Sequence, residues 1–454
     1  MPSRLLAAGL LVASALLAWL VIASALAARL LQAVIGLSVL YVGYLAFRGW
    51  QLIRASSAAA DEADSARAEQ PHSAPARSEP PPFVSVVVPA RNEAAVIADI
   101  VADLVAQRYG PPGRPRFEVV VLDDDSDDGT GALAAQAAVN AGAPEGLFRL
   151  LPRELIVGTK TKGAALAIAT PHLRGPTVAV VDADARVAPE FVARVMRAWS
   201  RDPGAAAIQA RRHPINAGQS WLTAAQGEEQ LMDLASQCGR RQADGTAELR
   251  GNGMFVQADA LQSVGGWSSR AITEDLDLST RLAAAGEHVA LAPEVVVGEE
   301  AVTSLSDLWT QRMRWAEGSL RRLMEHGPRL LSGSAPLGRK LDFLAFTGEF
   351  LIPPIFVASI VASLITIPLP IRMDWTIPIS LFAGYGLGSF LLALAGLSGV
   401  GVRGSALLGR SLRGALFLSH WLVVVPAALV RIALGPETTT FRKTPRMGHA
   451  AADR

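Results

Sequence analysis

The sequence predicts an α/β domain on a mainly parallel sheet, flanked by membrane helices. Three observations predict it. Apolar strands alternate with helical periods from Phe83 onward. The apolar run Thr177–Val181 ends in two carboxylates one residue apart, Asp182 and Asp184. The hydrophobic excess lies ahead of Arg48 and after His326, not in the middle of the chain. The 454 residues suffice for more than one unit. A formal charge of +1 gives no sign of a nucleic-acid partner. The one cysteine, Cys238, excludes an intrachain disulfide and fits a reducing compartment.

Leu5–Ala28 carries no charge and can span a bilayer. Arg29 interrupts, and Leu30–Phe47 is a second, shorter candidate. A secretory signal is the rival reading: Arg4 precedes the apolar core and Ala25-Leu26-Ala27 resembles a small-residue cleavage site. The hairpin is preferred because the apolar run resumes directly after Arg29. Arg4 before the first span, and Arg48 and Arg54 after the second, put both ends in the cytoplasm. Residues 55–82 are rich in Ala, Ser and Pro without apolar period and read as a disordered linker.

From Phe83 the pattern changes. Phe83–Pro89 is a continuous apolar strand, followed by Val96, Ile97, Ile100, Val101, Leu104 and Val105 at helical spacing. Phe117–Asp123 is a second strand, with a helix from about Thr130; Val178–Asp182 and Ala206–Ala210 are further strands. Such alternation implies right-handed βαβ units. Beyond His326, Phe350–Leu369, Trp375–Val400 and Ala415–Leu434 are candidate spans. Three spans starting from the cytoplasm put the tail outside, whereas Arg431, Arg442, Lys443 and Arg446 against Glu437 favour the inside. Pro426 is a candidate break in the last segment. The expected organisation is thus a hairpin (1–54), a linker (55–82), an α/β domain (83–326), a membrane region (327–435) and a basic tail (436–454).

Chemistry concentrates at strand ends. Open α/β sheets bind ligands there, and paired oxygens such as Asp182 and Asp184 suit a hard divalent ion that in turn holds a diphosphate. Pro89-Ala90-Arg91-Asn92-Glu93 ends the first strand, with Asn92 a candidate cap and a helix N-terminus offering N–H groups to an anion. Five aspartates crowd Asp123–Asp128, a loop that also reads as solvated helix capping. Lys160-Thr161-Lys162-Gly163 precedes a small-residue helix and reads equally as a surface loop. Thr273-Glu274-Asp275 opens a helix, with Thr273 placed to cap it and the acids complementing its dipole, which keeps Asp275 ionised. Gln311, Arg314 and Trp315 fall at i, i+3 and i+4 on one helix face, though Arg and Trp also serve as membrane-interface anchors.

In this order and between membrane spans, Asp182-x-Asp184, Thr273-Glu274-Asp275 and Gln311-x-x-Arg314-Trp315 resemble the membrane-bound glycosyltransferases of family 2. That family includes cellulose synthase, hyaluronan synthase and lipid glucosyltransferases. The resemblance covers Phe83 to about His326 and implies a GT-A-like catalytic domain on the cytoplasmic side of an integral protein of the cell membrane. It places Pro89, Arg91 and Glu93 around the nucleoside. It makes Asp124, with Asp123 close behind, the acceptor of a hydrogen bond from the base; Asp125 stands where glycine is usual. It puts Lys162 near the donor, Asp182 near the ribose and the metal, and Asp184 on Mg²⁺ or Mn²⁺. It assigns Gly253 and Trp315 to the acceptor side, Gln311 and Arg314 to the diphosphate, and the catalytic carboxylates to Asp275, with Glu274 beside it. The Lys443-Thr444-x-Arg446 tail is similar to that of some members, or is a solvated basic tail at the membrane surface.

The implied reaction is inverting transfer of a hexose from a nucleotide sugar, UDP-glucose or UDP-galactose, to a membrane lipid such as diacylglycerol. An enzyme with few spans resting on the bilayer can receive a lipid laterally. A processive polysaccharide synthase is the alternative, although so few spans wall a channel thinly. A non-catalytic nucleotide-sugar-binding scaffold is a third, opposed by the presence of all the expected acids. The oligomeric state is left open.

Overall fold

A computed structural model of the chain describes residues 2–69, 80–111, 113–151, 161–333, 335–367 and 375–435. The expected basic tail and Lys160 lie outside the described residues. The first part of the chain forms α1 (Pro2–Ala23), α2 (Ala25–Glu69), β1 (Val84–Ala90), α3 (Ile97–Val105), β2 (Phe117–Asp123), α4 (Thr130–Asn140), β3 (Phe148–Leu151) and α5 (Lys162–Ala169). Next come β4 (Thr177–Val180), β5 (Arg186–Val187), α6 (Phe191–Trp199), β6 (Ala207–Pro214), α7 (Trp221–Gln242), β7 (Met254–Gln257), α8 (Ala258–Ser263), α9 (Glu274–Ala284) and β8 (Val289–Glu299). Six helices follow: α10 (Leu305–Ser332), α11 (Leu337–Glu349), α12 (Ile352–Ile365), α13 (Thr376–Gly399), α14 (Gly404–Leu418) and α15 (Trp421–Leu434). Two compact units result. Among the described residues, one contains Leu52–Gly227 and Ala247–Thr303; the other contains residues 2–51, Glu228–Thr246 and residues 304–435.

The first unit is built on an eight-stranded sheet of order β3-β2-β1-β4-β7-β6-β8-β5. β1 pairs in parallel with β2 and β4, β2 with β3, and β6 with β8; β7 runs antiparallel to β4 and β6, and β5 to β8. β1 and β2 are mostly apolar because both sheet faces are covered; their buried exceptions, Ser85 and Glu118, satisfy each other, the Ser85 hydroxyl donating to Glu118 Oε1 at 2.7 Å. Val86 and Val88 of β1 join Ile97, Ile100 and Leu104 of α3 and Phe191 of α6 in one core layer. Val87, between them, joins Leu166 of α5 and Leu278 and Leu282 of α9 in the other. The chain leaves β1 for β2 and β3 on one side and returns to β4 on the other. The crevice at such a switch point opens at the carboxyl ends of β1, β2 and β4.

Among the described residues, five stretches, four of them wholly in the other unit, are long and apolar enough to cross a membrane: Ser3–Val21, Ala25–Ser65 (which continues past Gln51 into the sheet unit), Leu337–Ile365, Thr376–Gly399 and Gly404–Leu434. They are candidate membrane spans. Glycines set their closest approaches: a Cβ on Gly49 would collide with the carbonyl of Ala235, and one on Gly239 with that of Leu45. Thus α2 and the later half of α7 touch backbone to backbone, the kind of contact small residues permit between membrane helices. Buried charges are paired: Glu228 accepts from Arg410 at 2.9 Å and Arg413 at 2.6 Å. Asp342 accepts from Arg240 at 3.0 Å and from the Tyr41 hydroxyl at 2.9 Å.

Several sequence expectations are corrected here. The first helix break falls at Ser24, not Arg29, which sits inside α2. α2 continues to Glu69 through residues expected to be linker. Alanine-rich sequence propagates an existing helix without any apolar face, and Asp64 is anchored by Arg194 at 2.6 Å. The span expected at Ala415–Leu434 is instead two helices that part at Ser419–His420, while Pro426 lies inside α15. α10 and the Glu228–Gln242 part of α7 group with the apolar helices and not with the sheet. α10 does so through Met313, Ala316 and Leu320, which pack with Ala7, Val424 and Val425.

Candidate active site

Two loops at the ends of β1 and β2 are tied together. Asp124 N donates to Ala90 O at 2.8 Å, Asn92 N to Ser126 Oγ at 2.9 Å, and Glu93 N to Thr130 Oγ1 at 2.8 Å. Ala94 N donates to Asp128 at 3.0 Å, and Asp127 N to Asn92 Oδ1 at 3.0 Å. The N–H groups expected to meet an anion are therefore spent on the neighbouring loop. Asn92 makes this tie and does not cap α3, whose N-terminus carries no side-chain cap. Asp123 turns into its own loop, accepting from Ser126 N at 3.2 Å. Asp124, next along, has its carboxylate 4.0 Å from Arg91. Pro89 remains in register with Leu122 inside the sheet. Asp125 has φ of 60°, the left-handed conformation that glycine adopts without strain.

β4 stops at Val180, and antiparallel pairing places Met254 opposite it. That register brings the turn Gly251-Asn252-Gly253 against the Asp182–Asp184 segment. Asn252 Oδ1 accepts from Asp182 N at 3.1 Å, and Gly253 N donates to Val180 O at 3.0 Å. Gln209 braces the turn from β6, donating to Asn252 O at 2.7 Å and accepting from Arg250 N at 2.7 Å. Gly251 has φ of +78°, and a Cβ there would lie 3.1 Å from Asp275 Oδ2. Gly253 is packed so that a Cβ would lie 2.6 Å from Val297. Gly251 is thus the glycine beside the catalytic candidate, and the packing of Gly253 reflects its place at the start of β7.

Lys162 links the site. It is the first residue of α5, whose N-terminus is capped by Thr161 accepting from Ala164 N. Its Nζ donates to Asp182 Oδ1 at 2.6 Å and to Gly251 O at 3.0 Å, and lies 3.2 Å from Glu274 Oε1. Burial lowers the affinity of the amine for its proton. Asp182 and Glu274 outweigh this and hold Lys162 above the ordinary lysine range, hence charged. Glu274 therefore serves Lys162, with its carboxylate on the lysine side of the helix start.

Asp275 stands at the start of α9, accepting from Leu276 N at 2.8 Å. Thr273 occupies the cap position but its side chain makes no capping bond. The Asp275 carboxyl stays mostly ionised at neutral pH but holds its proton more tightly than an ordinary carboxylate. Burial, then the nearby Glu274 charge, raise the Asp275 carboxyl to about 6, while Lys162, the Leu276 N–H and Arg250 pull the other way. A carboxylate with that affinity can take a proton from a hydroxyl near neutral pH.

Asp184 is buried, and its Oδ2 accepts from Glu300 N at 3.2 Å. Among the described residues no group of three or more His, Cys, Asp or Glu side chains gathers as a metal cluster. Two hard oxygen donors without a third fit an ion that completes its shell with phosphate oxygens and water, as Mg²⁺ does. Gln311, Arg314 and Trp315 lie on α10 in the unit of apolar helices. Gln311 is buried, and its carbonyl accepts from Arg312 at 2.5 Å. Sequence reading passed over Gln209 and Arg312, and took Gly251 and Asn252 only as part of the Gly251–Phe255 segment that resembles the family's acceptor side. Only the glycine-flanked asparagine carried a local signal, because a turn that leads into a strand is visible while its neighbour across the sheet is not.

A switch-point crevice with a charged lysine among carboxylates is what a group-transfer enzyme acting on an anionic donor needs. Residues 80–318 match the family model described as glycosyltransferase like family 2. A beta-monoglucosyldiacylglycerol synthase from Synechocystis sp. is 33% identical over 373 residues, spanning 80% of this chain and 75% of that protein. One of the same name from Trichormus variabilis is 32% identical over 369 residues, spanning 81% of this chain and 77% of that protein. A mannosyltransferase from Pyrobaculum calidifontis, solved with GDP-Man and Mn²⁺, superposes with a TM-score of 0.56 at 21% identity, covering 86% of this chain and 99% of that one. The chain belongs to glycosyltransferase family 2. It is a glycosyltransferase, and its sheet domain has the GT-A-like fold.

Proposed function

We propose that this enzyme transfers a hexose, with inversion, from a nucleotide sugar to the hydroxyl of a membrane lipid such as diacylglycerol. UDP-glucose and UDP-galactose are the favoured donors. The observation that carries the proposal is Asp275: a carboxylate raised to about 6, held beside Gly251 and close to the Lys162–Asp182–Glu274 cluster. In a direct displacement the Asp275 carboxylate takes the acceptor hydroxyl proton as the oxygen attacks the anomeric carbon, and the diphosphate leaves with the bonding electrons. Lys162, Gln311 and Arg314 counter the charge on the departing diphosphate. Asp124 and Asp123, with Pro89, Arg91 and Glu93 around them, hold the nucleoside, and Trp315 lines the acceptor. Asp184 and Asp182 would hold Mg²⁺ or Mn²⁺, which supplies positive charge to the leaving diphosphate.

The lipid acceptor draws support from the two glucosyldiacylglycerol synthase relatives and from the candidate spans. With both N-terminal ends cytoplasmic, the catalytic domain faces the cytoplasm, where nucleotide sugars are made. The test is to incubate purified enzyme in defined lipid with radiolabelled nucleotide sugars and to separate lipid-soluble from polymeric product. The proposal expects a lipid carrying one or very few sugars. A long lipid-free polymer would establish the processive synthase instead.

A further inference from the structure

Arg312 stands inside the Gln311-x-x-Arg314-Trp315 segment but is not one of its three recognised positions. It is almost fully buried, which is costly for a guanidinium unless it is paired. Its Nη1 donates to Gln311 Oε1 at 2.5 Å. Its guanidinium lies over the Trp315 ring, 4.2 Å from the centroid. Its Nη2 pairs with Glu229 of α7. Glu229 Oε1 in turn accepts from Trp421 Nε1 of α15 at 2.9 Å. One planar group therefore touches two of the three motif side chains and is held by Glu229 of α7, which α15 secures through Trp421. Arginine suits this because its fork donates along its edge while its face stacks on an aromatic ring.

We infer that Arg312 is a positioning residue for transfer: held by Glu229, it orients the Gln311 amide and the Trp315 ring. With the Gln311 carbonyl oxygen occupied by Arg312, the amide N–H groups are left to donate, as a diphosphate oxygen requires. The Arg312 guanidinium lies over one face of the Trp315 ring and so fixes the plane of that ring. Trp421 and Glu229 make the setting depend on α15 and α7 as well as on α10. This inference rests on the reading that Gln311 and Trp315 act in transfer.

The experiment compares Gln311→Ala, Trp315→Ala, Arg312→Lys, Arg312→Ala, Glu229→Gln and the double variant Gln311→Ala/Arg312→Ala. Turnover is normalised to the fraction of enzyme that binds UDP, so loss of folded protein does not count. Misplacing reacting groups by an ångström costs about 10²-fold, so Arg312→Ala is expected to lower normalised turnover by about that factor. Arg312→Lys and Glu229→Gln, which keep size and most packing, should fall between it and wild type. In the Gln311→Ala background, Arg312→Ala should cost clearly less than in wild type, because coupled neighbours are not additive. Impaired Gln311→Ala and Trp315→Ala with fully active Arg312→Ala would overturn the inference alone, as would strict additivity. Full activity in both Gln311→Ala and Trp315→Ala would remove the underlying reading, and the inference with it.

Discussion

The pH dependence of the reaction follows from the surroundings of Asp275. A carboxyl raised from 3.8 to about 6 is roughly one-tenth ionised at pH 5 and nine-tenths at pH 7. If its ionised form is the base, kcat/KM of the free enzyme should fall nearly tenfold from pH 7 to pH 5, with a midpoint near 6. An ordinary carboxylate would be almost fully ionised at pH 5 and give no such fall. Replacing Asp275 with Asn should remove the base at all pH values and cost about 10²–10⁴-fold or more. The sign for stability is opposite. The folded-state affinity is raised, so the stabilisation present at low pH is lost as pH rises through about 6. At pH 7 the ionised side chain burdens the fold, and Asp275→Asn should leave Tm unchanged or higher. The assay is kcat/KM with radiolabelled donor between pH 4.5 and 8, alongside thermal unfolding in detergent. A flat profile between pH 5 and 7, or near-normal turnover in Asp275→Asn, would refute the assignment.

Three further outcomes are expected. Asp184→Ala should abolish transfer and the metal-dependent part of UDP affinity, measured by calorimetry with and without Mg²⁺; full wild-type activity in excess chelator would make Asp184 structural. Arg314→Lys should lower kcat/KM about ten- to a hundredfold, the worth of one charge-assisted hydrogen bond at roughly 1.5–3 kcal/mol, and unchanged kinetics would mark Arg314 as an interfacial anchor. Gly239→Ala forces a methyl group into the Leu45 carbonyl and should destabilise the helix unit by about 1–3 kcal/mol, seen as a lower Tm in detergent.

The strands β1, β2 and β4 were legible because a sheet covered on both faces needs apolar residues at nearly every position, as in Val86–Val88 and Val119–Leu122. The carboxylates at their ends were legible for the same reason, since polarity begins where burial stops. The family resemblance was carried by short local motifs, and those are properties of sequence. Helix limits were less legible. Arg29 looked like a boundary and residues 55–69 looked like linker, but a helix continues through a single arginine and through alanine-rich sequence at little cost.

The sequence by itself determined the sheet domain, the apolar segments around it, and which acids and which arginine stand in the motifs. Only the tertiary structure decided their electrical state and their neighbours. Asp275 takes its raised affinity from burial and from Glu274 beside it in sequence, while Lys162 and Arg250, which lie elsewhere along the chain, pull the other way. The Gly251 carbonyl faces Lys162 because the β4–β7 register, which no local motif encodes, carries the turn there. Arg312 acquired its partner Glu229 from α7, and α15 holds Glu229 in turn through Trp421. Electrostatic and packing energies depend on distances in space, and distance along the chain does not encode them.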